Sequence, residues 1–307
     1  MNWDQALVLG FVQGLTEFLP VSSSGHLVLV QHLLGIRGAQ LLFDITVHAG
    51  TLVAVVWALR REVASAAVGV LLWPRAVRAW RRGSGPVPEP ARLAAWLAVG
   101  TLPAAAAGLW FGDAIEILFA SPRWVAFALA VTGLVLWVAG ASPDRPAGAS
   151  VGRPAGETGG IRWGPSTRRP QGGQAAPRRA GLYETGVWRA LAVGVAQAVA
   201  IVPGISRSGV TVAAGIGSGM EREAAARFSF LLSVPAIAGA AVLGLVKAAS
   251  GELASPGTGA LAVGFVAAGV AGYLAISTFL EVLRRGRLRW FSAYVWAVAL
   301  VSLLVER

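Results

Sequence analysis

Long apolar runs separated by short polar segments form the main pattern of this sequence. Six runs approach the roughly 20 residues that a helix needs to cross a bilayer, and only the first of them contains a charged residue, Asp44. They cover residues 42–59, 93–111, 124–141, 228–246, 260–280 and, shortest of all, 290–305. This pattern predicts an all-α polytopic membrane protein.

Two further stretches, residues 3–36 and 187–219, are apolar but are interrupted near the middle by Pro, Gly and Ser. Arginine is concentrated in residues 60–92, 142–185 and 284–289, and the positive-inside rule places these segments in the cytoplasm. With these segments inside, successive spans cross the membrane in alternating directions. The first stretch must then begin and end outside, and the second must begin and end inside. Each is therefore predicted to be a re-entrant helical hairpin, although two full spans broken in the middle remain an alternative.

Each half of the chain then contains one re-entrant hairpin and three spans. An odd number of spans gives the halves opposite orientations, so we predict an inverted-topology repeat with six transmembrane helices and two re-entrant hairpins. The repeats cover residues 1–141 and 186–307. Between them, the Gly/Pro/Arg-rich residues 142–185 form a cytoplasmic linker that cannot bury a core. Residues 63–73 are too short to span and are predicted to form an interfacial helix.

A shift of 184 residues aligns the two interrupted stretches without a gap. The shared positions are Gly10 with Gly194, Gln13 with Gln197, Ser22 with Ser206, Ser24 with Ser208 and Gly25 with Gly209. The reactive positions differ: Glu17 aligns with Ile201, Ser23 with Arg207 and His26 with Val210. One copy therefore carries an acid and a histidine, and the other carries an arginine.

Composition supports the membrane assignment. The 307 residues are 55% hydrophobic and 13% charged, whereas about a quarter of a soluble domain is charged. The absence of cysteine excludes disulfides and thiolate metal sites, and no removable signal peptide is expected. The net charge of +11 lies in the loops, so it indicates membrane topology and argues against a nucleic-acid partner.

Ionisable side chains at membrane depth are costly and mark functional sites. Glu17 and Arg207 are such residues, and a purely structural ion pair is the alternative explanation. Around Arg207, the sequence "PGISRSG" is typical of an anion-binding loop: glycine lets the backbone approach a ligand, and a helix starting at Ser208 would direct free N–H groups at it. Candidate substrate-binding residues in this loop are Gly204, Ser206, Ser208, Gly209 and Thr211.

The first hairpin, with "SSSGH", places possible nucleophiles beside a possible base. His26 suits proton transfer near neutral pH, and Ser22, Ser23 and Ser24 lie just before it. Gln13 and Glu17 share a helical face at i,i+4. Asp44 and His48 do so in the next helix, either as a structural polar pair or, with Glu17, as ligands of a divalent cation.

Two motifs, "QGLTEFLPVSSSGH" and "PGISRSG", together with "FDITVHAGT" and "RFSFLLSVP", resemble the bacterial undecaprenyl-diphosphatases of the BacA/UppP type. The resemblance covers the chain apart from the linker. It implies hydrolysis of undecaprenyl diphosphate in the bacterial inner membrane, a role in cell-wall synthesis and bacitracin resistance, a divalent cation (Mg²⁺ or Ca²⁺), and a site open to the outer face. Gln13 occupies a position where the family has Gln or Glu, and it cannot supply a second carboxylate to a metal.

We therefore predict a membrane lipid phosphatase with Glu17, Ser23, His26 and Arg207 as catalytic residues. Gln13, Ser22 and Ser24 are added to the substrate-binding residues named above. The nucleophile is a serine, Ser23 first, or an activated water. The expected partners are the lipid substrate and the bilayer, and a homodimer is compatible with the sequence. A transporter or flippase for an anionic lipid is the alternative, because such proteins also place broken helices at an inverted-repeat site.

Overall fold

A computed structural model describes residues 1–36, 40–83, 86–119, 122–141, 179–249 and 257–305. Over these ranges the chain forms eleven α-helices and no β-strand. The helices are α1 Trp3–Phe18, α2 Ser23–Leu33, α3 Leu41–Ala58, α4 Arg60–Arg81, α5 Glu89–Phe119, α6 Pro122–Gly140, α7 Gly186–Val199, α8 Arg207–Gly217, α9 Arg222–Ala249, α10 Thr258–Arg284 and α11 Arg289–Val305. The prediction of an all-α protein is confirmed for this part of the chain.

Five of these helices, α3, α5, α6, α9 and α10, are long and apolar enough to cross a membrane. They coincide with five of the six predicted spans, which confirms a multi-pass membrane protein. The sixth predicted span corresponds to α11, which has 17 residues and falls among the shorter apolar helices. Every predicted span is therefore a helix in the structure.

Helix α4 is longer than the predicted interfacial segment. It begins at Arg60, continues through Pro74 and ends at Arg81, because the arginine-rich sequence beyond residue 73 favours helix and keeps one apolar side. Gly69 allows α4 to pack closely on Pro90 at the start of α5. Val70 and Leu71 on another side remain exposed, as expected for a helix that lies at a membrane surface.

Most of the predicted linker, residues 142–178, lies outside the described residues. Its last residues are folded onto the second half of the chain. Ala180 pairs with Met220 through a backbone bridge, and Leu182–Glu184 forms a 3₁₀ turn immediately before α7. The chain is thus already ordered several residues before the predicted start of the second repeat.

The two interrupted stretches each fold as a helix, a short turn and a second helix. In the first helix pair, α1 and α2, the break follows Phe18, and Ser22 caps α2 by accepting a hydrogen bond from the Gly25 N–H at 3.4 Å. In the second helix pair, α7 and α8, Ser206 accepts from the Gly209 N–H at 3.1 Å. Serine is a preferred N-cap residue, so the same sequence position begins the second helix in both pairs.

The first helix of each pair packs on a long helix of the other half: α1 on α10, and α7 on α5. Glycines permit this close approach. A side chain at Gly10 would overlap the carbonyl of Gly264, and one at Gly194 would overlap the carbonyl of Gly100. This packing brings the breaks of both helix pairs into one region of the molecule.

Candidate active site

Glu17, in the last turn of α1, is the centre of a polar cluster. Its Oε2 accepts hydrogen bonds from Gln13 Nε2 at 2.8 Å and from Ser23 Oγ at 2.6 Å, and its Oε1 is paired with the Arg207 guanidinium. Only 4% of the Glu17 side chain is exposed. A buried carboxylate requires such partners, because an unpaired charge in an apolar interior is strongly destabilising.

Arg207 comes to this cluster from the second helix pair, as the first residue of α8. The loops of the two pairs are also joined by Ser208 Oγ, which donates to the carbonyl of Leu19 at 3.0 Å. The Arg207 side chain is 22% exposed, against 4% for its carboxylate partner. The Arg207 side chain is therefore partly accessible, and guanidinium groups bind phosphate oxygens through paired hydrogen bonds.

Helix α6 holds the second loop in place. Gly204 adopts a φ of +89°, and a Cβ on it would lie 2.6 Å from the carbonyl oxygen of Val125 in α6. In the same helix, Thr132 Oγ1 accepts a hydrogen bond from the Ser206 N–H at 3.1 Å. Glycine is therefore required at position 204. Thr132 was missed by the sequence analysis, because a single threonine in an apolar span gives no signal of its contact with a distant loop.

The predicted binding serines form matching pairs. Ser22 Oγ lies 3.3 Å from Ser24 Oγ, and Ser206 Oγ lies 3.3 Å from Ser208 Oγ. Ser22 differs in its backbone: its φ of 69° is the only positive value of a non-glycine residue within the described ranges. A positive φ at such a residue is uncommon and marks a constrained position. The residue immediately before Ser23 is thus held in an unusual conformation.

The Thr211 side chain is turned into the protein interior. It is fully buried, its hydroxyl donates to the carbonyl of Arg207 at 2.6 Å, and it lies 2.6 Å from Ser229 Oγ in α9. These bonds connect the first turn of α8 to α9. The geometry gives Thr211 a role in supporting Arg207, in place of the substrate contact that we predicted.

The histidine nearest to Glu17 is His48, with its Nε2 3.8 Å from Glu17 Oε2. Its Nδ1 lies 2.7 Å from the backbone carbonyl of Asp44, while the Asp44 carboxylate accepts from Gln31 at 3.0 Å. The hydrogen bond of His48 thus goes to the backbone of Asp44, while the Asp44 carboxylate also interacts electrostatically with His48. A ring whose Nδ1 carries the proton for that bond presents Nε2 to the cluster.

His26 forms its hydrogen bonds outside the cluster around Glu17. It is buried, its Nδ1 lies 2.8 Å from the carbonyl oxygen of Ser22, and its Nε2 lies 2.9 Å from the hydroxyl of Tyr294. Both ring nitrogens are engaged by these groups, and neither bond goes to Glu17 or Ser23. Tyr294 in α11 was missed by the sequence analysis, since nothing in an apolar C-terminal helix indicates a contact 268 residues away.

Comparison with known proteins identifies the family. The sequence matches the family described as bacitracin resistance protein BacA over residues 6–301. This chain belongs to the BacA family. It is 40% identical over 308 residues to a protein named undecaprenyl-diphosphatase from Carboxydothermus hydrogenoformans, covering 100% of this chain and 98% of that protein.

Two other relatives carry the same name. The protein from Rubrobacter xylanophilus is 42% identical over 302 residues, which cover 96% of this chain and 95% of that protein. The protein from Methanobrevibacter smithii is 36% identical over 303 residues, which cover 98% of this chain and 96% of that protein. The resemblance inferred from the two loop motifs is thus confirmed over the full length of the BacA-family chain.

The divalent cation expected from the resemblance has no preformed three-ligand site here. Over the described residues, no three His, Cys, Asp or Glu side chains gather closely enough to hold a metal ion. Both oxygens of Glu17 are occupied by donors, and the Asp44 carboxylate is bound to Gln31. Glu17, Asp44 and His48 are therefore not assembled as a three-ligand metal centre in this arrangement, and the divalent cation stays a prediction from the resemblance.

Proposed function

We propose that this BacA-family protein is an integral membrane lipid phosphatase that hydrolyses undecaprenyl diphosphate to undecaprenyl phosphate and inorganic phosphate. The full-length relatives named undecaprenyl-diphosphatase support this substrate. The observation that carries the proposal is the meeting of Arg207 with Glu17 and Ser23, because it joins an anion-binding group to a hydroxyl already hydrogen-bonded to a carboxylate.

Substrate binding begins at the second loop. The partly exposed Arg207 and first-turn N–H groups of α8, which a helix cannot satisfy internally, together receive the terminal phosphate. The Gly209 N–H is not among them, because it is bonded to Ser206 Oγ. Binding of the phosphate to Arg207 weakens the ion pair of Arg207 with Glu17. The carboxylate then becomes a better proton acceptor at the moment when the electrophile is in place.

In the chemical step, Ser23 Oγ attacks the terminal phosphorus while Glu17 Oε2 accepts its proton. The serine O–P bond forms, the bridging P–O bond breaks, and undecaprenyl phosphate leaves. A water molecule then gives a proton to Glu17 Oε2 and attacks the phosphorus of the phosphoserine. The serine O–P bond breaks, Ser23 Oγ takes back a proton from Glu17, and inorganic phosphate leaves. Arg207 stabilises the charge that develops on the phosphoryl oxygens. If a water occupies the position of the serine hydroxyl, the same carboxylate serves as its base in a single displacement.

His48 and His26 have separate roles in this scheme. His48, close to Glu17 Oε2, accepts the proton from the carboxylate so that Glu17 is ionised for the next step. His26, the residue that we predicted as the general acid or base, lies just after the nucleophile on α2. Its Nδ1 is bonded to the Ser22 carbonyl, so Nε2, beside the Tyr294 hydroxyl, is the nitrogen that can accept a proton during the reaction. Gln13 orients the Glu17 carboxylate through its 2.8 Å hydrogen bond.

The expected Mg²⁺ or Ca²⁺ belongs, in this proposal, to the substrate. Mg²⁺ is commonly bound by phosphate oxygens with only one or two protein carboxylates. A cation carried by the diphosphate would therefore need no preformed protein site, which agrees with the full occupation of the Glu17 oxygens.

The architecture is proposed to be an inverted-topology repeat with six spans, including α11, and with α1–α2 and α7–α8 as re-entrant hairpins. Three features support it: the alignment at a shift of 184 residues, the matching serine caps, and the reciprocal packing of α1 on α10 and α7 on α5. Residues 1–141 and 186–307 are the two repeats. Residues 142–185 connect them on the cytoplasmic side.

We place the protein in the bacterial inner membrane with its site open to the outer face. The arginine-rich segments 60–92 and 284–289 would lie inside under the positive-inside rule. By the same rule, the α1–α2 hairpin would enter the membrane from the outer side, with its polar break within the membrane. The homodimer considered from the sequence stays a prediction.

The test is phosphate release from undecaprenyl diphosphate by the purified full chain in detergent, with Mg²⁺ or Ca²⁺ added. Arg207→Ala is expected to lower kcat/KM by about a thousandfold, as for removal of a group that stabilises transition-state charge. Arg287→Ala, an exposed arginine outside the cluster, is the matched control. An absence of phosphate release by the unmodified chain with either metal would overturn the enzyme and leave the transporter alternative.

A further inference from the structure

Tyr294 of α11 and His26 of α2 form a contact that the proposed chemistry does not yet use. The rings are stacked with an interplanar angle of 10° and a centroid separation of 5.7 Å. The Tyr294 hydroxyl lies 2.9 Å from His26 Nε2. His26 is 9% exposed, whereas Tyr294 is 48% exposed. A buried imidazole is thus bonded to a phenol that is itself about half exposed.

The bonding pattern selects one form of the imidazole. The Ser22 carbonyl is an acceptor only, so His26 Nδ1 must carry the proton of their 2.8 Å bond. In the neutral ring, Nε2 is then an acceptor and receives the hydroxyl proton of Tyr294. The tyrosine hydroxyl therefore favours neutral His26 with its lone pair on Nε2. Phenylalanine could provide the ring stacking but not this hydrogen bond.

The position of Tyr294 is itself fixed by helix packing. Its neighbour Val295 is fully buried in a cluster with Val125 and Leu129 of α6, and Trp296 Nε1 donates to the carbonyl of Ala130 at 3.0 Å. Helix α6 also packs against Gly204 of the second loop, and its Thr132 accepts the hydrogen bond of the Ser206 N–H in that loop. The same helix therefore sets the positions of both the anion-binding loop and the partner of His26.

We propose that Tyr294 is a positioning residue that holds His26 as the neutral Nδ1–H tautomer, with Nε2 directed to the tyrosine hydroxyl. Because Nδ1 is bound to the carbonyl of Ser22, the ring is fixed at both nitrogens and its orientation is tied to the backbone just before Ser23. The expected effect of Tyr294 on kcat rests on the phosphatase activity proposed above. The bond itself does not depend on that function and can be tested separately.

The experiment uses the full chain in detergent with ¹⁵N-labelled histidine. The protein has three histidines and three tyrosines, so the imidazole spectrum is simple, and the His26 signals are assigned by their loss in His26→Gln. Tyr294→Phe is compared with Tyr273→Phe, a partly exposed tyrosine of α10. Phosphate release from undecaprenyl diphosphate is measured for the same samples.

We expect Tyr294→Phe to move the ¹⁵N signals of His26 and to leave those of His32 and His48 unchanged, which also shows that the fold is intact. It should lower kcat by about tenfold, the effect of one lost hydrogen bond, with little change in KM. Tyr273→Phe should alter neither measurement. If Tyr294→Phe disturbs all three histidines, Tyr294→Trp, which keeps a ring and a donor, should restore the His26 signals.

Unchanged His26 signals in Tyr294→Phe would overturn the proposal, and so would a rise in KM at constant kcat, which indicates a direct substrate contact. A shift of the His26 signals in a chain that releases no phosphate would have a different meaning. It would support the positioning of His26 by Tyr294 and contradict the proposed phosphatase activity.

Discussion

Glu17 and Arg207 are 190 positions apart in the sequence, and in the folded protein their side chains form an ion pair. Each comes from a different helix pair, at the point where an apolar helix is broken. The pair neutralises two charges that would be costly separately. It also keeps an arginine ready for a phosphate that can replace the carboxylate as its partner.

Replacing the carboxylate tests this exchange. Glu17→Gln keeps the size of the side chain but removes the charge and the acceptor for the Ser23 proton, so kcat is expected to fall by about a hundredfold or more. Phosphate release from undecaprenyl diphosphate measures this fall in kcat. Glu184→Gln, an exposed residue of the 3₁₀ turn before α7, is the control and should keep normal activity. Retention of full activity by Glu17→Gln would show that the carboxylate is only a structural partner of Arg207.

The nucleophile is tested by comparing neighbouring serines. Ser23→Ala removes the hydroxyl bonded to Glu17 at 2.6 Å and should lower kcat by at least about a thousandfold, since loss of a covalent nucleophile can cost up to about a millionfold. Ser24→Ala removes only the contact with Ser22 and should have a smaller effect. Near-normal phosphate release by Ser23→Ala, together with loss in His26→Ala, would favour attack by water.

Thr132 is predicted to support the second loop. Thr132→Val retains the shape but leaves the Ser206 N–H without its acceptor, and we expect a loss of about 1–3 kcal/mol in stability with weaker substrate binding. Thermal unfolding in detergent and KM are the measurements. Thr101→Val in α5 is the matched control, since among the described residues the Thr101 hydroxyl bonds to Leu97 of its own helix and to no distant loop. Equal effects of both variants would argue against a specific role for Thr132.

Close packing of the two halves is predicted to depend on Gly10 and Gly194. Alanine at either position would overlap a carbonyl of the facing helix, so each variant should unfold at a lower temperature, with a cost of about 1–3 kcal/mol. Gly108→Ala is the control, because a Cβ there meets no atom of the described part of the chain within 4 Å and alanine favours helix. A similar unfolding temperature for all three variants would contradict the packing argument.

The elements of the fold were predictable because their signals are local. A run of apolar residues at α3, α9 or α10 determines a membrane helix from its own composition, since no other backbone satisfies its hydrogen bonds in lipid. The Pro-Ser-Gly breaks, the serine caps at Ser22 and Ser206, and the unusual charges of Glu17 and Arg207 are local in the same sense. Family membership follows from the same two loop motifs.

The contacts between distant segments required the tertiary structure. Position in the sequence does not show that His48 lies beside Glu17, or that His26 turns to Tyr294. It equally does not show that Thr132 accepts from Ser206. Each depends on how two helices are rotated about their axes when they pack, and packing selects that rotation from the summed contacts of the whole bundle. The residues of the site are therefore largely visible in the sequence, whereas their partners are decided by the packing of helices far apart in the chain.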